Sequence, residues 1–421
     1  MFQRNKKKKE LEIHPTVICV FEDDSIESFE PLHHFHPVWE LMFGATSLGE
    51  KIFRSFPKLT PMASCREELE YTLALPEELP LNELPAGDYV FVNARVAEPE
   101  KLASIIEAKG PPKIYTQENT IIAARIRLTE NLEGDVFSTL EAQREQLTAE
   151  DVGVTLFSYL FELMEHNGDA IKKDAPLFPL GKREGAIYAT TVLVNPKQVY
   201  LAKTSSAGPG VVIDASEGPV IIDEDVEIMA NSFIKGPAYI GEHAIIKAGA
   251  IIYGETSIGH TCKIGGEVGE SIILPFTNKQ HYGNIAHSYI GSWCNLGAGT
   301  SCSDLKNTYS TVKLSLGGKP MDTERQFLGL FMGDHVTVGI NTMFNTGAIV
   351  GSVSNVYGAD FQSKYLPPFS WSNTSKKLEI YKIEKALQTI QRMMKRRQYE
   401  CTEEYQEYVK TLFKKEVSRR R

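Results

Sequence analysis

The sequence contains no long apolar run, and its first residues lack the apolar core that is typical of a signal peptide. Among its 421 residues, no stretch approaches the roughly eighteen consecutive apolar side chains of a membrane-spanning helix. The basic start, Met1 to Lys9, leads into Glu10, Leu11 and Glu12 instead of the apolar core of a signal peptide. We therefore expect no membrane span and no secretory signal.

Cysteine is scarce, and its spacing excludes two kinds of site. None of the cysteines forms a Cys-x-x-Cys pair, so neither a disulfide framework nor a zinc cluster is expected. This pattern is typical of the reducing cytoplasm. The six cysteines are Cys19, Cys65, Cys262, Cys294, Cys302 and Cys401.

A net charge of −9 argues against general nucleic-acid binding.

What the sequence does have is an apolar residue at every sixth position over long stretches between Ile222 and Val356. This period fits neither the turn of a helix nor the alternation of a strand. It is typical of a parallel β-helix, in which each repeat forms one side of a triangular coil. Chance alternation in a β-sandwich would not keep the period through eight successive units. The positions are Ile222, Ile228, Ile234, Ile240, Ile246, Ile252, Ile258, Ile264, Ile290, Leu296, Cys302, Met332, Val338, Phe344, Val350 and Val356.

Changes in composition divide the chain into predicted segments. Short apolar strands mixed with helical spacing favour an open α/β domain in the first half. A stretch rich in Ser, Gly, Pro and Ala then predicts a linker. The segments are a disordered basic start at 1–14, the α/β domain at 15–203, the linker at 204–218, the β-helix at 219–366 and a helical tail at 367–421.

The tail is predicted to be helical from Ser375 onward, and its apolar stripe should pack on the coil or on a neighbouring chain. A basic cluster on the same helix fits either phosphate binding or a solvated helix face. The stripe consists of Ile380, Ile383, Leu387, Ile390 and Met394, and the cluster consists of Arg392, Lys395, Arg396 and Arg397.

Polar side chains follow two predicted strands of the α/β domain. Ligands of open α/β sheets bind at the carboxyl ends of strands, so these side chains are candidate ligand contacts. Acidic residues are also common after strands that bind no metal, so a Mg²⁺ site and a purely structural role both stay open. The candidates are Asp23 and Asp24 after strand 16–21, and Asn93 and Arg95 after strand 89–92.

The β-helix pattern breaks twice, and repeat proteins often carry functional loops at such breaks. The first break, 269–287, contains His281, and the second, 303–327, contains Lys306. Histidine suits general-base catalysis because its reference pKa is near neutral. A lone surface histidine is more often uninvolved, so His281 needs further support.

The coil and its breaks resemble the acetyltransferase domain of the bifunctional enzyme that makes UDP-N-acetylglucosamine. That family joins a glucosamine-1-phosphate N-acetyltransferase to an N-acetylglucosamine-1-phosphate uridylyltransferase. Its Lys-x-x-His and Asn-Ile-Gly-Ala-Gly-Thr stretches have counterparts here in Asn278-Lys279-Gln280-His281 and in Asn295 to Thr300. An alternative bacterial branch is similar over longer blocks, at 265–268, 290–300, 303–307, 333–335 and 339–347.

The resemblance implies an α/β nucleotidyltransferase-like domain, a left-handed parallel β-helix and a C-terminal helix. It further implies that His281 accepts a proton as the amine of glucosamine-1-phosphate attacks the thioester of acetyl-CoA, while Asn295 holds the sugar or orients the amine. Asn284 stands where the family has a substrate-binding tyrosine. A cytoplasmic homotrimer is implied, with active sites shared between neighbouring coils. The cations that would neutralise the sugar phosphate are Lys247, Lys279 and Lys306.

The resemblance is weaker in the N-terminal half. The glycine-rich phosphate loop of the usual uridylyltransferase is missing. Where the alternative branch has Arg-Pro-x-x-Glu-Leu-Arg, this chain has His36 to Met42, which lacks both arginines. Asn93-Ala94-Arg95 resembles the Asn-Gly-Arg turn of that branch. Nucleotidyl transfer with UTP and Mg²⁺ therefore stays open.

Three other interpretations remain. One is a sugar-nucleotide-binding trimeric scaffold with degenerate active sites, and another is a nucleotidyltransferase for a different sugar-1-phosphate. The third is a zinc-dependent hydratase of the gamma-carbonic-anhydrase type, although its ligand spacing is not reproduced here. The histidines it would use are His243, His260, His281, His287 and His335.

Overall fold

The computed structural model describes residues 12–73, 79–358, 360–374 and 378–420, which fall into two compact units. Of the described residues, those within 12–26, 36–41 and 47–158 belong to the N-terminal unit, and those within 27–35, 42–46 and 159–420 belong to the solenoid unit. Most of the predicted disordered start lies outside the described residues. Ile13, however, exchanges backbone hydrogen bonds of 2.7 and 3.1 Å with Gly110, so regular pairing begins before residue 15.

The N-terminal unit is built on a mixed six-stranded sheet. Val17–Phe21 runs parallel to both of its neighbours, and Phe21 is in register with Asn93. Residues that follow these two strands therefore meet at one edge of the sheet. The strand order is Thr60–Ala63, Val17–Phe21, Gly87–Asn93, Thr120–Leu128, Lys113–Gln117 and Thr148–Asp151. The helices are α1 (Leu48–Ser55), α2 (Pro99–Ile105) and α3 (Val136–Gln143).

Side-chain caps set the start of two of these helices. The Ser47 hydroxyl accepts a hydrogen bond from the Glu50 N–H (3.2 Å), and the Glu50 carboxylate accepts one from the Ser47 N–H (2.7 Å), which forms a capping box for α1. At α3, the Asp135 carboxylate accepts from the Ser138 N–H at 2.6 Å. Both helices thus begin where a side chain satisfies the first backbone donors.

The solenoid unit consists of three sheets, named here faces A, B and C, whose coil strands pair in parallel. Face A contains Val192–Val194, Val212–Asp214, Phe233–Lys235, Ile251–Ile252, Glu267–Gly269 and Asn284–Ala286. Face B contains Val199–Leu201, Val220–Ile222, Ala238–Ile240, Thr256–Ile258, Ile272–Ile273, Tyr289–Ile290, Leu330–Met332, Ala348–Val350 and Tyr365–Leu366. Face C contains Ala186–Ile187, Ser206–Ala207, Glu227–Ile228, Ile245–Ile246, Lys263–Ile264, Asn278–Lys279, Asn295–Leu296, Thr337–Val338, Asn355–Tyr357, Ser370–Asn373 and the antiparallel Glu379–Ile380.

Among its described residues, the solenoid unit also contains four α-helices and further strand pairs, and short 3-10 helices occur in both units. The helices of the unit are α4 (Leu160–Glu165), α5 (Asn167–Asp174), α6 (Ile383–Lys395) and α7 (Glu403–Ser418). Additional strand pairs are Met42–Phe43 with Thr46–Ser47, Ser301–Cys302 with Met343–Phe344, and the hairpin Lys313–Leu316 with Lys319–Asp322. Short 3-10 helices occur at Asp24–Phe29, Leu32–His34, Val38–Glu40, Glu67–Thr72, Arg144–Gln146, Ala175–Leu177 and Pro196–Gln198.

The inward side chains of each face stack in register and make the solenoid core. On face B, Ile222 pairs with Ile240 and Ile240 with Ile258, and each of them is fully buried. Burial of one such side chain contributes about 1.5–3 kcal/mol. Every predicted stacking residue from Ile222 to Val356 belongs to this buried cluster. The predicted combination of an α/β domain, a β-helix and a helical C-terminus is confirmed.

The solenoid begins earlier than the predicted boundary at 219. The predicted linker 204–218 contains the strands Ser206–Ala207 and Val212–Asp214, which pair with later coils. Ala207 and Ile213 of this stretch are fully buried in the core. The small and polar residues near the coil corners give this stretch the composition of a linker. Its inward side chains nevertheless belong to the solenoid core.

The C-terminal tail differs from its prediction at its start. Ser375, the predicted first helical residue, lies outside the described residues, and α6 begins at Ile383. Ile380 lies instead in a short strand and is exposed, whereas Leu387, Ile390 and Met394 are buried as predicted. No helix within the described ranges is long and apolar enough to cross a membrane.

Two adjacent isoleucines test the stacking. Ile252→Ala removes a fully buried side chain from the core, so we expect the free energy of unfolding to fall by about 2–5 kcal/mol. The matched variant Ile251→Ala truncates the outward neighbour, which is 37% exposed, and should cost roughly 0.5 kcal/mol or less. Urea denaturation followed by circular dichroism measures both, and equal losses would contradict the inward stack.

Candidate functional site

The structure brings together three of the four predicted strand-end residues of the N-terminal unit. Arg95 donates to Asp23 through Nη2 at 2.5 Å and through Nε at 3.1 Å, and the Asn93 amide donates to Asp23 at 2.8 Å. Arg95 also donates to the Phe157 carbonyl at 2.8 Å. The Asp23 side chain is 1% exposed. These residues form a closed structural network at the edge of the sheet.

Beside this network lies a cavity of about 290 Å³ with a strongly acidic lining. Asp24 is exposed at its rim, while Glu22 is held by Arg66 at 3.1 Å and by the Val38 N–H at 2.9 Å. The cavity is lined by Glu22, Asp23, Asp24, Ser64, Arg66 and Asp135, among others. Asp24 is thus the predicted strand-end residue that remains exposed beside the cavity.

A Mg²⁺ ion does not fit the predicted pair of ligands as they stand. Asp23 already accepts hydrogen bonds from Arg95 and Asn93, so its oxygens are occupied. Asp24 alone is a poor site, because Mg²⁺ requires near-octahedral oxygen coordination. Across the described parts of the chain, the one group of three closely spaced potential metal ligands is Asp225, Glu242 and His243, all exposed and located in the solenoid unit.

The solenoid unit contains a second cavity, of about 260 Å³, between the outer side of face C and the end of α6. We call it the cationic cleft. Arg397 donates to the Asn278 side chain at 2.7 Å, and Asn278 is in register with Asn295 on the next coil. The cleft is lined by Lys263, Phe276, Asn278, Gln280, Trp293, Cys294, Asn295, Thr337, Met393, Arg396 and Arg397.

The charges in this cleft are uncompensated. Neither Lys263 nor Arg396 nor Arg397 forms an ion pair with any residue that the structure describes. Burial, and then the nearby positive charge of Arg397, lower the pKa of Lys263. Burial and the charge of Arg396 lower the pKa of Arg397. Bringing cations together without acidic partners is unfavourable, and an anionic ligand would relieve that cost.

An aromatic wall closes one side of the cleft. The rings of Phe276 and Trp293 stack with centroids 4.1 Å apart and an angle of 6°, and Tyr399 meets both edge-on. Phe276 and Trp293 occupy corner positions with positive φ (64° and 60°). The arrangement therefore offers flat apolar surface next to positive charge.

His281 lies at the corner after Gln280, which lines the cleft, and its side chain is exposed. Its ring forms no hydrogen bond with any described residue. Its backbone carbonyl accepts from the Lys279 ammonium at 2.8 Å. His281, the predicted base, therefore lies beside the cleft. Its backbone accepts a hydrogen bond, while its ring makes none with a described residue.

Lys279, which was predicted to bind the sugar phosphate, does not line the cleft. It occupies an inward position of face C, in register with Ile264, and is 2% exposed. Its ammonium also donates to the Gly265 carbonyl at 2.7 Å, and burial lowers its pKa to about 8. From its inward position, Lys279 therefore links two neighbouring coils by hydrogen bonds to the carbonyls of Gly265 and His281.

The other predicted contacts are spread around the solenoid. Lys247 is half-buried on the outer side of the coil, close enough to lower the pKa of Lys263. The Lys306 ammonium donates to the Thr311 carbonyl within the second break. The Asn284 amide donates to the Cys302 carbonyl at 3.4 Å. Of the predicted substrate contacts, only Asn295 lines the cationic cleft.

Sequence reasoning did not select Lys263 and left the role of Arg396 and Arg397 open. Lys263 could have been predicted to point outward, because it directly precedes Ile264, whose side chain points into the core. Register along face C then places it beside Asn278 on the next coil. The basic cluster on α6 required the packing of that helix to be known before it could be assigned to a cavity.

Comparisons with known proteins match two stretches of the chain, and the first stretch extends beyond the N-terminal unit to include α4 and α5 of the solenoid unit. Residues 18–183 match the sugar nucleotidyl transferase family model, and residues 219–254 match the bacterial transferase hexapeptide model of six repeats. The two matches support the predicted combination of a nucleotidyltransferase-like domain with hexapeptide repeats.

Particular relatives have the same combination in their names. The bifunctional sugar-1-phosphate nucleotidylyltransferase/acetyltransferase of Sulfurisphaera tokodaii is 35% identical over 34% of this chain and 36% of its own length. The bifunctional protein GlmU of Methanococcus aeolicus is 31% identical over 60% of this chain and 58% of its own length. The chain thus spans less than two-thirds of either relative. The UDP-N-acetylglucosamine acyltransferase structure from Francisella novicida covers 54% of this chain and 78% of its own, at 16% identity and a TM-score of 0.30, too low to define a shared fold.

The buried ammonium of Lys279 predicts a pH dependence of stability. Its pKa is about 8 in the folded chain and 10.5 in its ordinary range, so the unfolded chain binds more protons between these values. Stability should therefore rise from about pH 8 to 10.5, by up to about 3 kcal/mol for this group. The Lys279→Met variant should lose this pH-dependent rise in stability. Lys203 is exposed, so the Lys203→Met variant should keep the rise. Thermal unfolding across this range checks the slope, and identical slopes in all three proteins would contradict the assignment.

Proposed function

We propose that the solenoid unit transfers an acetyl group from acetyl-CoA to the amino group of glucosamine-1-phosphate. The observation that carries this proposal is the cationic cleft, where Lys263, Arg396 and Arg397 have no acidic partner in the described structure and lie beside Asn295. Both proposed substrates carry phosphate groups, which such cations bind through charge-assisted hydrogen bonds. The names of the curated relatives support the same reaction.

The chemistry requires a proton acceptor near the attacking amine. The amine nitrogen attacks the thioester carbon, the C–N bond forms, the C–S bond breaks and the CoA thiol leaves. We assign the acceptor role to His281 at the edge of the cleft and the orienting role to Asn295. Backbone N–H groups near the glycines of the coil are suited to stabilise the oxyanion. Lys247 remains a proposed phosphate contact, and Lys263, Arg396 and Arg397 replace Lys279 in that role.

We propose nucleotidyl transfer as a second activity, in the N-terminal unit. The match of residues 18–183 to sugar nucleotidyl transferases favours it. The acidic cavity beside Asp24 is the proposed binding site, and acidic side chains there are suited to accept hydrogen bonds from sugar hydroxyls. UTP and N-acetylglucosamine-1-phosphate are the proposed substrates. Together the two reactions would complete UDP-N-acetylglucosamine.

A homotrimer in the cytoplasm is part of the proposal. Tyr282 and Ile340 are 67% and 69% exposed, and Tyr282 donates to Asn341 at 3.4 Å across the corner next to His281. Large apolar side chains exposed beside a site are suited to contact another copy of the chain. All six cysteines are free, which agrees with a reducing compartment.

Thiol release tests the acetyl transfer. Wild-type protein should release CoA from acetyl-CoA when glucosamine-1-phosphate is added, and His281→Ala should lower the rate by about 100-fold or more, because general-base catalysis contributes that much. Arg396→Gln with Arg397→Gln should instead raise KM. Circular dichroism confirms that the variants are folded.

Absence of thiol release from folded wild-type protein would overturn the acetyl transfer. Retained sugar-nucleotide binding in that case would favour the scaffold interpretation. Release with another amino-sugar phosphate, and none with glucosamine-1-phosphate, would correct the substrate and keep the reaction.

Pyrophosphate release tests the second activity. With UTP, N-acetylglucosamine-1-phosphate and Mg²⁺ in the buffer, wild-type protein should form pyrophosphate. Asp24→Asn should lower this rate by about tenfold or more, the effect of losing a hydrogen bond to a charged group, without changing thiol release. A rate unaffected by Asp24→Asn would remove Asp24 from the site, and no pyrophosphate from wild type would remove the activity.

A further inference from the structure

Lys279 breaks the rule that sets the solenoid core. It stands in the inward row of face C, in register with Ile264, where the neighbouring coils place aliphatic side chains. It is 2% exposed, so its ammonium has left water. Burial of a charge is unfavourable, and an apolar side chain of similar volume would fill the position without that penalty. A local rule that is broken inside a regular stack indicates a function for the residue that breaks it.

The Lys279 ammonium binds two main-chain carbonyls. It donates to Gly265 at 2.7 Å and to His281 at 2.8 Å, and it forms no ion pair with any residue that the structure describes. Both carbonyls lie at the corner between face C and face A, on two successive coils. The buried lysine therefore anchors the His281 corner to the corner of the coil before it.

Gly266 makes this contact close. Its φ is 71°, and a Cβ atom at this position would lie 2.6 Å from the His281 carbonyl oxygen and 2.8 Å from the Lys279 Nζ. Glycine is the residue that permits both the positive φ and this approach. The ammonium, the glycine corner and the His281 carbonyl are thus packed directly against one another.

The position of the His281 ring depends on its main chain. The side chain is exposed, and its ring forms no hydrogen bond with any residue in the described ranges. A general base must lie within about 3 Å of the proton that it accepts. In many catalytic sites a carboxylate orients the imidazole directly. Here the contact that fixes the histidine is made to its carbonyl, from inside the coil.

We propose that Lys279 is a positioning residue for the acetyl transfer, and that it holds the His281 corner in place at the edge of the cationic cleft. This role rests on the proposed function, in which His281 accepts a proton from the attacking amine. Lys279 faces the inside of the coil and does not line the cleft. Its loss should therefore slow the chemical step and leave substrate binding unchanged.

The first test replaces the buried ammonium by an apolar side chain. Lys279→Met should lower kcat for thiol release at pH 7 by about tenfold to 100-fold, because a misplacement of about 1 Å can slow a reaction by that much. KM for both substrates should stay at its wild-type value. The temperature of unfolding at pH 7 should be equal or higher, because the buried charge is gone. Steady-state kinetics and thermal unfolding of the same samples measure both effects.

Ile246→Met is the matched control for this variant. Ile246 lies in the same inward row of face C and is fully buried. Methionine conserves most of the volume of isoleucine, so the stack should accept it. This control should keep the wild-type kcat, which shows that a methionine in the row does not by itself slow the reaction.

A pair of glycine variants tests the same contact without removing the lysine. Gly266→Ala and Gly249→Ala both act at corners between face C and face A, with φ values of 71° and 70°, so the backbone strain is common to both. The added Cβ meets the His281 carbonyl and the Lys279 ammonium in Gly266→Ala, whereas nothing lies within 4 Å of it in Gly249→Ala. Gly266→Ala should lower kcat by about tenfold or more, and Gly249→Ala should keep the wild-type kcat.

Hydrogen exchange reports on the corner itself. The amides of residues 280–283 should exchange faster in Lys279→Met and in Gly266→Ala than in wild type, because the anchor of this corner is lost or displaced. The same amides should exchange at the wild-type rate in Ile246→Met and Gly249→Ala.

Three outcomes would overturn the role of Lys279. One is a wild-type kcat in Lys279→Met. Another is a joint fall of kcat and of the unfolding temperature in that variant, since a residue that serves only the fold lowers both together. The third is an equal loss of kcat in the two glycine variants. Failure of the proposed function is a separate result, in which wild-type protein itself releases no thiol and the role of Lys279 in the reaction falls with it.

Discussion

The stacking of one inward aliphatic side chain on the equivalent one in the next coil is the constraint on which the solenoid depends. Parallel register along each face repeats the same environment at Ile222, Ile240 and Ile258, and a coil can only be added if its inward residue fills that space. The core is therefore set by a few positions per coil. Outward positions and corners are free to carry other chemistry.

That division explains where the polar residues of the solenoid unit are found. Outward positions of face C supply Lys263, Asn278 and Asn295 to the cationic cleft, one from each successive coil. Corner positions with positive φ carry Trp293, which lines the cationic cleft, and His287, which does not. Lys279 is the exception, because it stands in the inward row and satisfies its ammonium with the carbonyls of Gly265 and His281. The same residue thereby connects the core to the corner that carries the proposed base.

In the N-terminal unit, which has its own apolar core, a buried ion pair joins the ends of two neighbouring strands. Asp23 and Arg95, one after each of two neighbouring parallel strands, are held together with Asn93 at the sheet edge. A buried charge is stable only when it is paired and hydrogen-bonded, so these residues are committed to structure. Asp24, one position later, stays exposed to the adjacent cavity.

The sequence by itself determined the repeat, since a hydrophobic period of six requires only counting, and every predicted stacking residue is buried. It also selected Asp23, Asn93 and Arg95 as strand-end residues, and the parallel pairing of the two strands in the structure brings them together. Only the tertiary structure decided which residues share a cavity. The packing of α6 brings Arg396 and Arg397 to Lys263, and the chain path through the second break brings Asp304 to His287. Such contacts join residues far apart in the chain, and no local period or propensity encodes them.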